Sequence, residues 1–197
     1  ILCSAQALER LKHFVSRKAL NIEGFGEKVV EELYSIGWIK LPSDIFQLES
    51  KFGLNSMNNL ASREGWGERS VENLFRAINA RRNISLDKFV FSLGIRHIGE
   101  QASLILAKRY KTWENLFCQM LEAKERESQE WHDLKTIDGF GYIMGESIVN
   151  YFACDGNKRI LNALMGEIKV EGYVNKVLSD SVLLDVNIVF SGTLVDM

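Results

Sequence analysis

What this chain has little of limits what it can be. Among its 197 residues there is one proline, Pro42, so proline interrupts the chain at a single point. Three cysteines, Cys3, Cys118 and Cys154, are too few and too scattered for a disulfide framework, so a reducing compartment is expected, by default the cytoplasm. No apolar run approaches the roughly 20 residues that span a bilayer, which excludes a transmembrane helix and any membrane role built on one. No basic segment followed by an apolar one marks a secretory leader, and Ile1 in place of Met reads as a cut end with part of a parent chain missing. The P-loop pattern G-x-x-x-x-G-K-[ST] is absent. The nearest approach to G-x-G-x-x-G, Gly139-Phe140-Gly141 with Gly145, has one residue too many and no strand before it. Sustained apolar-polar alternation is missing before about residue 182, so residues 4–165 are assigned to α structure.

What is present is ordinary in bulk and uneven in distribution. With 46% apolar and 25% charged residues the chain can bury the core of one large or two small domains. Its net charge of −2 conceals a split. Residues 1–111 hold 17 basic against 12 acidic side chains, and residues 112–197 hold 7 against 14. The first half is therefore the one suited to meet an anion.

A repeat runs through the chain. "NIEGFGEKVV" at 21–30, "REGWGERSVENLF" at 63–75, "IRHIGEQASLILA" at 95–107 and "IDGFGYIMGESIVNYF" at 137–152 each place a glycine turn before an amphipathic stretch. The second glycines, Gly26, Gly67, Gly99 and Gly141, are 41, 32 and 42 residues apart, so first-to-third and second-to-fourth separations are 73 and 74. That spacing indicates a pair of motifs that was itself duplicated. After the turns, Val71, Leu74, Phe75 and Ile78 recur at helical spacing, as do Met144, Ile148, Tyr151 and Phe152, and Val29, Leu33 and Ile36. Before the third turn, Ser85 is a candidate N-cap for Leu86, Phe89, Val90 and Leu93. Each helix-turn-helix unit is too small to bury its stripe alone, so two units are expected to pack face to face and two such pairs side by side.

Other conspicuous residues read as structural. The run 122–130, "EAKERESQE", has no apolar face and is expected to be solvated. Cys118 and Cys154 lack a cationic neighbour in sequence and read as buried or inert. Trp38, Trp66, Trp113 and Trp131 are expected in the core or as plugs of the turns, and His13 as a structural hydrogen-bonder.

A glycine turn in front of a helix is suited to anions. The first N–H groups of a helix lack intrahelical partners, and the helix dipole makes that end partially positive. Glycine permits positive φ and lets a ligand oxygen approach the main chain without meeting a Cβ. Cations lie beside three of the turns, Lys28, Arg69 and the Arg96-His97 pair, whereas Tyr142, Ile143 and Met144 follow the fourth. Repeated sockets at regular spacing suit a phosphate polymer, whose backbone can be held without its sequence being read. The candidate contact residues are Gly24, Gly26, Lys28, Gly65, Gly67, Arg69, Gly94, Arg96, His97, Gly99, Gly139 and Gly141. For any one turn, glycines that only shape the bend remain an alternative.

The four turns, with "SLGIRHIGEQAS" and the opening "CSAQALERLKHFVSRKALNIEGFG", resemble the C-terminal half of the bacterial NAD-dependent DNA ligase family. The resemblance implies a mainly α fold of four helix-hairpin-helix motifs in two pseudo-symmetric pairs, with a truncated BRCT strand at the end. It implies the end of a zinc finger and a linking helix at 1–20, the helix-hairpin-helix domain at 21–165, a linker at 166–181, and the start of a BRCT domain at 182–197. In such a family the parent enzyme seals nicks in duplex DNA during replication and repair, using NAD, magnesium and a zinc finger. Cys3 would be the last zinc ligand, although Cys3-Ser4 stands where the family shows Cys-Pro, and one cysteine cannot complete a tetrahedral site. "KTIDG" at 135–139 has one residue too many to be the family's K-x-D-G adenylation motif and belongs to the fourth turn. No catalytic residue and no complete cofactor site is therefore expected here. The implied partner is nicked duplex DNA and the implied state a monomer in the bacterial cytoplasm. Two other readings stay open from the residues alone: a non-enzymatic helix-hairpin-helix scaffold at DNA junctions or repair complexes, and a protein-interaction module using the acidic second half.

Overall fold

A computed structural model describes residues 4–174, and helices dominate them. In chain order they form α1 (Ser4–Val15), α2 (Glu27–Ser35), α3 (Pro42–Phe52), a 3-10 turn (Leu60–Ser62), α4 (Glu68–Asn79), β1 (Asn83–Ser85) and α5 (Leu86–Ser92). Then follow α6 (Glu100–Tyr110), α7 (Trp113–Glu122), α8 (Gln129–Lys135), α9 (Tyr142–Ala153), α10 (Asp155–Met165) and β2 (Lys169–Glu171). The expected α assignment therefore holds, with one exception. β1 and β2 pair in parallel, Ile84 opposite Val170. Strands of three residues are too short to display the period-2 pattern by which strands are read.

Pro42 falls at the break between α2 and α3 and starts the second. It occupies the first turn of α3, where its missing N–H costs nothing. The Asp44 carboxylate accepts the N–H groups of Lys40 and Leu41, both at 2.8 Å. Side chains also cap α7 and α8: Thr112 accepts from the Asn115 amide and Ser128 from the Trp131 amide.

The buried side chains form one contiguous cluster running from Leu11 to Ile168, so the two halves share a core. Val71, Leu74, Phe75 and Ile78 all face it with at most 4% exposure, as their spacing predicts. A fully buried side chain of this kind contributes roughly 2 kcal/mol by leaving water. α1 enters the core through Leu11, Phe14 and Val15, and packs on α2 and α5. His13 Nε2 lies 2.8 Å from the Phe91 carbonyl, and because a carbonyl only accepts, that nitrogen carries the proton. The expected structural role of His13 is what the geometry supplies. Trp113 and Trp131 are buried, and Trp38 stacks on Phe52 with 3.8 Å between ring centres.

Residues 166–174, at the start of the expected linker, run along the helical body. The Lys169 amide donates to the Arg82 carbonyl, and Arg82 in turn donates to the Glu167 carboxylate at 3.1 Å and to the Phe46 carbonyl at 2.6 Å. The Tyr173 amide donates to the Lys111 carbonyl at 2.7 Å. The remainder of that segment, the expected BRCT strand at 182–197, and Cys3 lie outside the described residues.

Two expectations need correction. The run 122–130 is not wholly solvated: Ala123 is fully buried, and Arg126 grips Glu146 through two nitrogens at 2.9 Å each while stacking on Trp131 at 4.4 Å. Cys118 and Cys154 are exposed, which removes burial from the expected choice of buried or inert. Cys154 occupies the N-cap of α10, where the amides of Asn157 and Gly156 hold its thiol below the usual range. The main chain supplies the positive field that no neighbouring cation announces.

Candidate nucleic-acid interface

Each glycine pair closes a turn of one and the same design. The amides of Phe25, Trp66, Ile98 and Phe140 donate to the carbonyls three residues earlier, Ile22, Arg63, Ile95 and Ile137, at 3.0–3.2 Å. The residue before each of those amides sits at positive φ: Gly24 at 76°, Gly65 at 83°, His97 at 66° and Gly139 at 72°. These are type II turns, which demand a left-handed residue at that position and so favour glycine. His97 takes the place of the first glycine, as the sequence alignment of the turns predicts. The apolar residue between the two key positions plugs the core, with Phe25, Ile98 and Phe140 at 5% exposure or less and Trp66 half-buried.

The second glycines have a different explanation. Gly26, Gly67, Gly99 and Gly141 are the N-caps of α2, α4, α6 and α9, at φ of −73°, −115°, −90° and −73°. Any residue adopts those values. A methyl group added at any of the four would meet no further atom within 4 Å. No residue at these four N-cap positions offers a side chain to the helix amides, in contrast to α7 and α8, and only at α4 does a side chain reach back, where the Ser70 hydroxyl accepts the Gly67 N–H at 3.0 Å. A Ser or Asp at such a position would stabilise a helix by about 1 kcal/mol. Neither backbone strain nor internal packing therefore accounts for four glycines here.

Turn 1 abuts the helix after turn 2, and turn 4 abuts the helix after turn 3. Gly24 lies 4.0 Å from Leu74 of α4, the helix that follows turn 2, and Gly139 lies 3.4 Å from Ile105 of α6, the helix that follows turn 3, as measured from an added Cβ. Turns 1 and 3 also share a feature that turns 2 and 4 lack. Asn21 (φ 51°) and Gly94 (φ 63°) both stand three residues before the first turn position in the left-handed region. Gly94 thus has an internal reason to be glycine: it ends α5, and a Cβ there would press against the His13 ring at 3.2 Å.

Lys28, Arg69, Arg96 and His97 are exposed, and among the described residues no ion pair engages the first three. Each of the three cationic turns also carries a glutamate at the first helical position, Glu27, Glu68 and Glu100. The fourth turn presents Tyr142 and Ile143 instead, 62% and 64% exposed, with Tyr142 edge-on to Trp131. Lys135 of the "KTIDG" segment is not poised for chemistry but lies over the Trp131 ring at 5.5 Å.

Cations that the sequence reading passed over gather near turns 1 and 3. Lys18 and Lys88 approach the Glu100 carboxylate from two sides, at 3.5 and 4.0 Å. Arg81 Nε donates to the Asn21 carbonyl at 3.2 Å. The excess of basic residues in the first half was the available signal, but only tertiary contacts bring these residues together. No described helix is long and apolar enough to cross a membrane.

Residues 88–161, containing turns 3 and 4, match the helix-hairpin-helix motif family. Over its whole length the chain is also similar to bacterial DNA ligases. It is 41% identical over 197 residues to the DNA ligase of Roseobacter denitrificans, covering all of this chain and 28% of that protein. With the DNA ligase of Dinoroseobacter shibae it shares 44% over 197 residues, 26% of that protein. With that of Parvibaculum lavamentivorans it shares 43% over 198 residues, 28% of that protein. The chain thus spans a little over a quarter of the length of the curated relatives it matches.

Proposed function

We propose that this chain is the part of an NAD-dependent DNA ligase that grips duplex DNA around a nick. The observation that carries the reading is the second glycine of each turn. It has an ordinary conformation and open space above it, so the missing side chain is accounted for by something approaching from outside. A phosphodiester fits, because bare helix-start amides with a favourable dipole bind anions. Repetition fits too, because backbone phosphates recur along a strand and carry no sequence information. Gly26, Gly67 and Gly99 expose the amides, and Lys28, Arg69, Arg96 and His97 add charge. Gly24, Gly65 and Gly139 shape the bends, and Gly141 contacts the backbone through its main chain alone. The helix-hairpin-helix match and the ligase relatives support this reading.

In the parent enzyme the nick would be sealed by a nucleotidyltransferase part lying elsewhere, so this chain alone is inactive, monomeric and at work in the bacterial cytoplasm. Among the described residues no three His, Cys, Asp or Glu side chains converge, and Cys3, the zinc ligand that the resemblance implies, lies outside them. Fluorescence anisotropy with nicked and intact duplexes at several salt concentrations tests the proposal. Binding should weaken steeply as salt rises and be indifferent to sequence. Duplex affinity that is absent or insensitive to salt overturns it.

A further inference from the structure

We propose that the groove between turns 1 and 3, lined by Arg17, Asn21, Arg81, Asn83, Ser85 and Lys88, is a phosphodiester site that works through side chains rather than main-chain amides. The inference rests on the reading of the chain as a duplex-binding module. The groove has a volume of about 380 Å³, and no carboxylate lines it. Larger grooves elsewhere are mixed in sign: the one between α3 and α4 includes Glu49 and Glu72, and the one beside turns 1 and 2 includes Glu23.

Its parts are held from several directions. Ile84 of β1, 7% exposed, lines the floor, and β1 is fixed there by its pairing with β2. Arg81 spends its Nε on the Asn21 carbonyl, which leaves the two terminal nitrogens of the guanidinium as a fork for an anion. Lys88 donates to the Lys18 carbonyl at 3.3 Å. Arg17 is exposed, with no ion pair among the described residues. The Ser85 hydroxyl does not cap the helix that follows it, so it is available as a donor. Three cations with neutral amide and hydroxyl donors and no acid in the lining select a ligand with several acceptor oxygens and negative charge.

Position distinguishes a polymer phosphate from a free one. The groove opens at Asn21, which leads into turn 1, and ends at Lys88, which reaches Glu100 at the start of α6 after turn 3. The groove thus adjoins both helix starts, and a strand held at the two is the anion it fits. Glu100, 3.5 Å from Lys18 and 4.0 Å from Lys88 but outside the lining, competes with that strand for both lysines.

The test uses the 197-residue chain and its Arg17→Gln/Lys88→Gln double variant. Both side chains are exposed, so far-ultraviolet circular dichroism should be unchanged. Duplex affinity at low salt should fall at least tenfold, and the slope of log affinity against log salt should become shallower by about 2, since each neutralised phosphate contributes about 0.9. An unchanged slope, with the unsubstituted chain still binding duplex in a salt-dependent way, overturns this site and leaves the broader reading standing. If the unsubstituted chain does not bind duplex, both fall. Titration with inorganic phosphate separates the two sources. Saturation of the groove's amide resonances at millimolar phosphate, with the duplex salt slope unaltered in the variant, makes it a site for free phosphate and contradicts the assignment.

Discussion

The indole N–H of Trp66 donates to the Glu32 carboxylate at 3.2 Å, and Arg63 Nε donates to the other oxygen of that carboxylate at 3.2 Å. Trp66 is the plug of turn 2, and Glu32 belongs to the helix that follows turn 1. One half-buried carboxylate therefore fastens the second turn to the first unit, while Arg63 also lies over the Trp38 ring. Replacing Glu32 by Ala should cost about 1 kcal/mol, the usual worth of a charge-assisted pair that water can partly replace. It should weaken duplex binding beyond the loss of charge, which on its own would favour binding. Thermal melting and anisotropy on the same variant check both signs.

His97 does the work of a glycine at a cost. Its φ of 66° is a region that Asn, Asp, His and above all Gly tolerate and β-branched residues do not. His97→Gly should leave stability within about 0.5 kcal/mol, because relieved strain offsets the extra freedom glycine has when unfolded. His97→Val should lose about 1–2 kcal/mol. Chemical denaturation of the two variants reports the contrast.

The Arg126–Glu146 fork sets a pH dependence. Arg126 holds the Glu146 carboxyl below the usual glutamate range. A depressed carboxylate stabilises the fold above its unfolded pKa of about 4.3 and loses that contribution as pH falls through the lower folded value. Glu146→Gln should therefore be less stable than the parent by about 0.5–1 kcal/mol at pH 7, discounted for partial exposure. The difference should narrow as pH falls below the unfolded value and close once the lower folded value is passed, as followed by melting across pH.

Cys154 should be the fast thiol of the described part. Its N-cap position stabilises the thiolate, and Cys118 has no such helix start beneath it. Brief alkylation near pH 7.5 followed by peptide mapping should label Cys154 ahead of Cys118. Equal labelling would show that the α10 amides do not act on the sulfur.

What sequence could convey here was local. The stripe Val71, Leu74, Phe75 and Ile78 and the four glycine turns are repeated within a few residues, and the structure reproduces them down to His97 standing in for glycine. The β1–β2 pair was illegible because strands of three residues, separated by most of the chain, leave no periodic trace. Pro42 marked a break in the chain, but that it opens α3 was not legible, because no side chain before it fixed that register. Arg126 was hidden in a run of charges whose other members are mostly exposed. Lys18, Lys88 and Arg81 carried no pattern of their own, since their meeting point near Glu100 and Asn21 is made by the packing of α1 against α5 and the turn after α4.

The most direct measurement compares Gly67→Ala and Gly99→Ala with the parent chain in two assays. Because the backbone at both positions suits any residue and the space above them is open, stability should change by no more than about 0.5 kcal/mol, or rise slightly. Duplex affinity should nevertheless drop roughly tenfold at each site, the equivalent of one lost amide-to-phosphate hydrogen bond. Variants that melt like the parent and bind duplex equally well would contradict the claim that these bare helix starts are what hold DNA.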